Sequence, residues 1–333
     1  MALESYALIY DYGDPAAEAR MCRADCALFD FSFLECARLE GPGAQGVIEA
    51  LVGRPLASLA EKQIFYALRQ NAGGALVADW TVWRAGPEAF EVMSGRREDI
   101  VDLLTLAGPQ VKITDKAGRA VFAVQGPGTL DALRKLGDVS RIERLSYFTF
   151  DRVDLAGIPC TIGRLGYTGE AGFEIIAERQ YGSDIWRALS VHVQPAGFTA
   201  ADTLRIEAGF VLFSNEFRLP VMAHEIGLGK FGPSIELPKP EIALVSFRAE
   251  ADRQPWPWRP SGGLQPPQKP GTIVVTSVCQ SVVAGGILGL GYVAAGTTPE
   301  TALTDPTGTF RNIHLAPRPF YDPKKRRPRA DWR

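Results

Sequence analysis

Residues 163–175 read GRLGYTGEAGFEI, with four glycines, two carboxylates and two aromatic rings in one short run. Strands favour β-branched side chains and helices disfavour glycine, so neither regular structure explains this composition. Backbone stripped of side chains admits a close neighbour. Glu174 then enters the apolar strand GFEII, where a lone carboxylate costs on the order of several kcal/mol unless it has a partner or a task. Upstream, Asp79 has the same character inside GGALVADWTVW. The plain alternative for each acid is a strand end that faces water. Arg205 and Glu207 lie two apart in LRIEAG, on a segment that reads as helix, so they project in different directions.

The surrounding 333 residues set the bounds. Apolar residues make up 46% and charged residues 22%, which places the chain among folded globular proteins. A formal net charge of −2 supplies no general attraction to nucleic acid or anionic membrane. The five cysteines (22, 26, 36, 160 and 279) are scattered and read as reduced and buried, which points to the cytoplasm. No signal or membrane-spanning segment stands out. Histidines 192, 224 and 314 are far apart, no metal-ligand spacing is present, and His224 beside Glu225 reads as ordinary hydrogen bonding. The run GGILGLGYVAAG lacks the helix that a dinucleotide fingerprint needs and reads as a turn of a β-barrel.

Two strand–GPG–helix segments, at 38–52 and 120–137, suggest an internal duplication. The proline-rich ADRQPWPWRPSGGLQPPQKPG marks a loop or interdomain excursion. The organisation expected is an α+β body over 1–235 and a β-rich unit over 236–333.

GYTGEAGFEI resembles a motif of the glycine-cleavage T-protein family, the folate-dependent aminomethyltransferases. CALFDFSFLECARLEGPGA, NAGGALVADW, FAVQGPGTLDAL, LSYFTF, ADTLRIEAGFVLF, GLGYV and PFYDP resemble that family's blocks in its order. The resemblance implies a three-domain fold, with ferredoxin-like α+β units around a channel and a C-terminal β-barrel. It implies tetrahydrofolate as co-substrate, with glycine backbone against the pterin ring. Glu174 would accept two parallel hydrogen bonds, Tyr167 would pack beside the folate, and Arg205 and Ser94 would also contact it. Asp79 matches the catalytic acid. The chain departs from the family pattern at Ala78, where an acid stands, at Ser94, where asparagine stands, and at Phe33, where histidine stands. Phe33, Trp80 and Trp83 would line the substrate mouth. The cysteine motif of the family's iron–sulfur branch is absent. The function implied is methyl or aminomethyl transfer from an N-, S- or O-linked small-molecule donor, with a protein partner if it works within a multi-enzyme system. A non-catalytic folate-binding protein and a folate module of an amine dehydrogenase are the rivals.

Overall fold

The GPG turns are where the chain's repeat becomes physical. In both, the first glycine (Gly41, φ +113°; Gly126, φ +129°) holds a left-handed conformation, and a backbone oxygen (of Gln110 or Asp25) occupies the place a Cβ would take. Only glycine tolerates both constraints. Each turn joins a strand to a helix.

The structure, a computed structural model, describes residues 8–116, 118–233, 238–252, 258–260 and 262–332. The chain begins with α1 (Pro15–Ala24), whose N-cap Asp14 accepts from the Ala16 and Ala17 amides at 3.0 and 2.9 Å. Then follow β1 (Ala27–Asp30), β2 (Glu35–Glu40), α2 (Ala44–Val52), β3 (Ile64–Gln70), β4 (Leu76–Gly86) and β5 (Ala89–Ser94). Next come α3 (Arg97–Leu106), β6 (Lys112–Asp115), β7 (Ala120–Gln125), α4 (Thr129–Arg134), β8 (Phe150–Leu155), β9 (Ile158–Gly163) and β10 (Gly172–Ala177). Helices α5 (Gly182–Ser190), α6 (Phe198–Glu207) and α7 (Phe213–Glu216) precede β11 (Ile242–Glu250), β12 (Ile273–Ser281), β13 (Gly286–Ala294) and β14 (Arg311–Ala316).

The first two sheets share one strand plan. One runs β3-β4-β5-β2-β6 and the other β8-β9-β10-β7-β1. Each GPG strand, β2 or β7, is therefore second from an edge, beside the last strand of its meander. The duplication read from the GPG segments thus extends to topology, with β1 closing the second sheet at the edge that β6 closes in the first.

Each sheet buries one face under helices and the other against its counterpart. Ala78, Trp80, Val82 and Phe90 pack with Ile48 of α2 and Ile100 of α3. Phe173 and Ile175 pack with Leu130 of α4 and Ile185 of α5. Between the sheets lie Cys36, Ile64, Trp83 and Met93 from one, and Val121, Ala123, Phe150 and Ile176 from the other.

The third sheet is antiparallel, β12-β13-β11-β14. Bridges Leu303↔Ile313 and Thr272↔Thr304 continue the pairing from β14 back to the residue before β12, carrying the sheet round on itself. Phe247, Ile273, Val275, Leu303 and Ile313 fill its interior. The glycine cluster lies within strand β13, where it was expected in a turn, and the Phe247 ring occupies the place of a Gly289 Cβ. The expected boundary at 235 falls on residues 234–237, outside the described residues.

Candidate active site between the two sheets

Glu174 is a buried acid of β10. It is 8% exposed, and no hydrogen bond or ion pair reaches its carboxyl among the described residues. Alternation along β10 turns Phe173 and Ile175 toward the helices and Glu174 toward the other sheet. Its cross-strand neighbours are Ala123 and Gly163, neither of which can donate from a side chain. Burial alone pushes its carboxyl up to about 7. Tyr147 stands close enough that the Glu174 charge acts on its phenol, which burial pushes up to about 12.

Asp79 projects from β4 on the inward face of the first sheet, the same face as Trp83. It is half-buried, and Tyr66 of β3 donates its hydroxyl to Oδ2 at 3.0 Å. Burial pushes the Asp79 carboxyl up to about 6, the Tyr66 hydrogen bond opposes this, and the charges of Asp99 and Glu216 add to it. Four residues of strand, about 13 Å, separate Asp79 from Trp83. The Trp83 ring crosses to the second sheet and occupies the space of a Gly163 Cβ, directly opposite Glu174 in the ladder. A carboxylate thus stands toward each end of the inter-sheet region, one held by a tyrosine and one, among the described residues, by no hydrogen-bond or ion-pair partner.

The glycines of 163–172 answer to protein neighbours. Trp83 lies on Gly163, the Gln125 amide lies against Gly166 and Gly172, and Ala208 lies against Gly169, which has φ +81°. Gln125 in turn donates to the Leu165 carbonyl at 3.1 Å and accepts from Thr168 at the same distance. The expectation that these glycines clear a path for a ligand ring is corrected here: they let the chain pack on itself and so fix Glu174 in place.

Tyr167 donates to the Val211 carbonyl at 2.6 Å and stacks on Phe210, with centroids 6.1 Å apart. Burial raises its phenol well above the ordinary value, and the charges of Arg205, Asp79 and Glu216 all act on it. It belongs to the Asp79 end.

Three expected contacts are corrected. Arg205 is fully buried and committed to Asp202 and Glu216 at 2.8 and 2.9 Å, the Phe210 carbonyl at 3.1 Å, and Ser277 of β12 at 2.6 Å. It ties α6 to the third sheet and has no fork left for a ligand. Ser94 is 1% exposed on the helix face and donates to Asp99. Trp80, opposite Ser94 in the ladder, donates its indole N–H to the same Asp99 at 2.9 Å, in the core beneath the helices. Both point away from Asp79. Trp83 and Phe33 differ: Trp83 is a buried wall of the inter-sheet region, and half-buried Phe33 packs edge-on to Phe198, centroids 6.0 Å apart. Among the described residues the two ring nitrogens of His224 have no hydrogen-bond partner, contrary to expectation.

Sequence reasoning missed Tyr66 and Tyr147. Counting ladder pairs back from the NAGG turn would have placed Tyr66 diagonal to Asp79 on the same face. It also missed Phe213, whose ring fills the space of a Gly95 Cβ at the end of β5.

Comparison with known proteins agrees with this architecture. Residues 10–232 match the family model described as the GCVT N-terminal domain. An aminomethyltransferase of Streptomyces avermitilis is 29% identical over 347 residues, covering 94% of this chain and 91% of that protein. One from Caldanaerobacter subterraneus subsp. tengcongensis is 30% identical over 226 residues, 65% of this chain and 60% of that protein. The crystal structure of glycine cleavage system aminomethyltransferase T from Bartonella henselae superposes with a TM-score of 0.76 over 95% of this chain and 92% of that one, at 22% identity, a likeness of fold. With the family match covering well over half its length, the chain belongs to the glycine-cleavage T-protein family.

Proposed function

We propose that this protein is a tetrahydrofolate-dependent one-carbon transferase, taking a methyl or aminomethyl group from an N-, S- or O-linked small-molecule donor. The observation that carries the reading is Glu174, a buried carboxyl with no partner of its own. A pterin edge carries a ring N–H beside an amine, the pair of parallel donors that a carboxylate accepts best. Tetrahydrofolate supplies a nucleophilic ring nitrogen to receive the one-carbon unit. Glu174 fixes the ring's orientation, Trp83 walls the region beside it, and Asp79 stabilises positive charge that develops as the new bond forms. Tyr66 holds the Asp79 carboxylate and favours its ionised form.

The net charge of −2 supports a reaction without nucleic acid. No helix among the described residues is long and apolar enough to cross a membrane. Five free, buried cysteines support a cytoplasmic setting. The non-catalytic reading draws on Ala78, which leaves Asp79 without a neighbouring acid and sits wholly buried under the helices.

Conversion of tetrahydrofolate to its 5-methyl or 5,10-methylene form across a donor panel tests the proposal, and inertness toward every donor favours the binding reading. In an active protein, turnover should fall as pH drops through about 6, where Asp79 takes up its proton. Tyr66→Phe should move that limb upward by about one pH unit, because the hydrogen bond it removes favours the carboxylate. An unshifted limb separates Tyr66 from the mechanism.

A further inference from the structure

Within the proline-rich excursion between β11 and β12, Trp258 packs on Phe310 of the third sheet, while its neighbours reach the body. Those neighbours are Arg259, Pro260 and Gly262. Arg218, just beyond α7, donates to the carbonyls of Pro260 and Gly262 and pins the segment there. Arg259 is thereby set beside α7: its Nη1 donates to Asn215 Oδ1 at 3.0 Å, and its guanidinium lies 5.9 Å from the centre of the Phe198 ring. The side chain is exposed, and among the described residues no carboxylate lies within ion-pair distance of it.

The ring beneath Arg259 belongs to a wall that reaches the catalytic strand. Phe198 packs with Phe33 and Phe213. Phe213 rests on Gly95, the residue after Ser94, and Ser94 pairs with Trp80. Continuing that antiparallel ladder by one step sets Gly95 across from Asp79. A line of packed aromatic side chains therefore runs from beside Asp79 to a guanidinium that, among the described residues, carries no counter-charge. Asn215 is itself held, donating to Ser277 at 3.0 Å, so the guanidinium rests on an anchored amide.

We propose that Arg259 is a specificity-determining residue that binds an anionic group on the one-carbon donor, a carboxylate, so that the donor's methyl end lies along the aromatic wall toward Asp79. The inference rests on the one-carbon-transfer reading. A guanidinium fork accepts a carboxylate through two parallel hydrogen bonds, which fix direction as well as charge, whereas a lysine supplies only a point charge. The excursion would then act as a specificity element lent to the body by the C-terminal unit, and the Phe33 neighbourhood would contact the apolar part of the donor.

Matched pairs of probes decide the matter: N,N-dimethylglycine against N,N-dimethylglycinamide, methoxyacetate against methoxyacetamide, and methylthioacetate against methylthioacetamide. Calorimetric titration of the full chain should show at least one acid bound 10-fold or more tighter than its amide. Arg259→Gln should bring that ratio to about 1 while leaving the amide's affinity unchanged, and Arg259→Lys should retain part of it. An unchanged ratio in Arg259→Gln, or no preference for the acid in any pair, overturns the proposal. Tetrahydrofolate titrated in parallel separates the two levels. Failure to bind it defeats the transferase reading, whereas binding without an acid preference defeats only the role of Arg259.

Discussion

Glu91 and Glu174 occupy the same place in the two repeats, and the molecule treats them in opposite ways. Glu91 faces Arg38 across the ladder, and Arg38 lies three residues before the GPG glycine Gly41. Glu174 faces Ala123, which lies three residues before Gly126. On the other side Glu91 meets Trp83, and Glu174 meets Gly163. Both acids are buried, at 5% and 8% exposure. Glu91 accepts from Arg38 at 3.0 Å and from Arg119, an ion triad that Glu40 and Glu178 extend. Glu174 has alanine where Glu91 has its cross-strand arginine, and glycine where Glu91 has tryptophan. A repeat that needs only to hold its sheet together pairs its acid. A repeat that leaves the same acid unpaired tolerates an energetic penalty that a ligand can relieve.

The comparison breaks first if Glu91 proves dispensable. Glu91→Gln removes a buried charge-assisted bond from each of Arg38 and Arg119, leaving them only their more exposed partners Glu40 and Glu178, and should destabilise the protein by about 3–5 kcal/mol in chemical denaturation. A loss below about 1 kcal/mol would show the triad to be idle. Asp79→Asn should come next in size. It should fold normally, bind tetrahydrofolate within a few-fold, and lose roughly 10²–10³ in turnover, or about 3–4 kcal/mol of transition-state stabilisation. Wild-type turnover on a proven donor would remove Asp79 from the chemistry. Its position in the first repeat would then be structural, like that of Glu91.

What the sequence made legible follows from which forces are local. Glu174 and Asp79 stood out because an acid in an apolar strand is conspicuous without any structure. The GPG repeat was visible because a positive-φ glycine cannot be replaced. Trp80 and Ser94 were misread because adjacent strand residues face opposite ways, and nothing in WTVW or VMSG says which face meets helices. Arg205 was misread because one of its several partners, Ser277, lies 72 positions away on the third sheet. Tandem glycines suggest close approach, but the sequence does not tell a ligand from the Trp83 ring or the Gln125 amide. Phe213 was missed because its contact with Gly95 joins distant parts of the chain, and Arg259 because its meaning depends on a long excursion folding back.

The central claim is that Glu174 is left unpaired for a ligand, and its pH linkage is the direct test. Its folded pKa, about 7, lies above the ordinary value near 4.5. In that window the folded state holds a proton that the unfolded chain releases. The stabilising contribution is therefore complete below about pH 4.5 and is lost as pH rises through 7. Unfolding free energies of ligand-free protein should be measured at pH 5.5 and 8.5 for wild type and Glu174→Gln, then repeated with saturating tetrahydrofolate. Wild type should lose about 2–3 kcal/mol more than the variant over that range. Tetrahydrofolate at pH 8.5 should stabilise wild type strongly and the variant weakly. Identical pH dependence in the two proteins, together with equal stabilisation by tetrahydrofolate, would contradict the account.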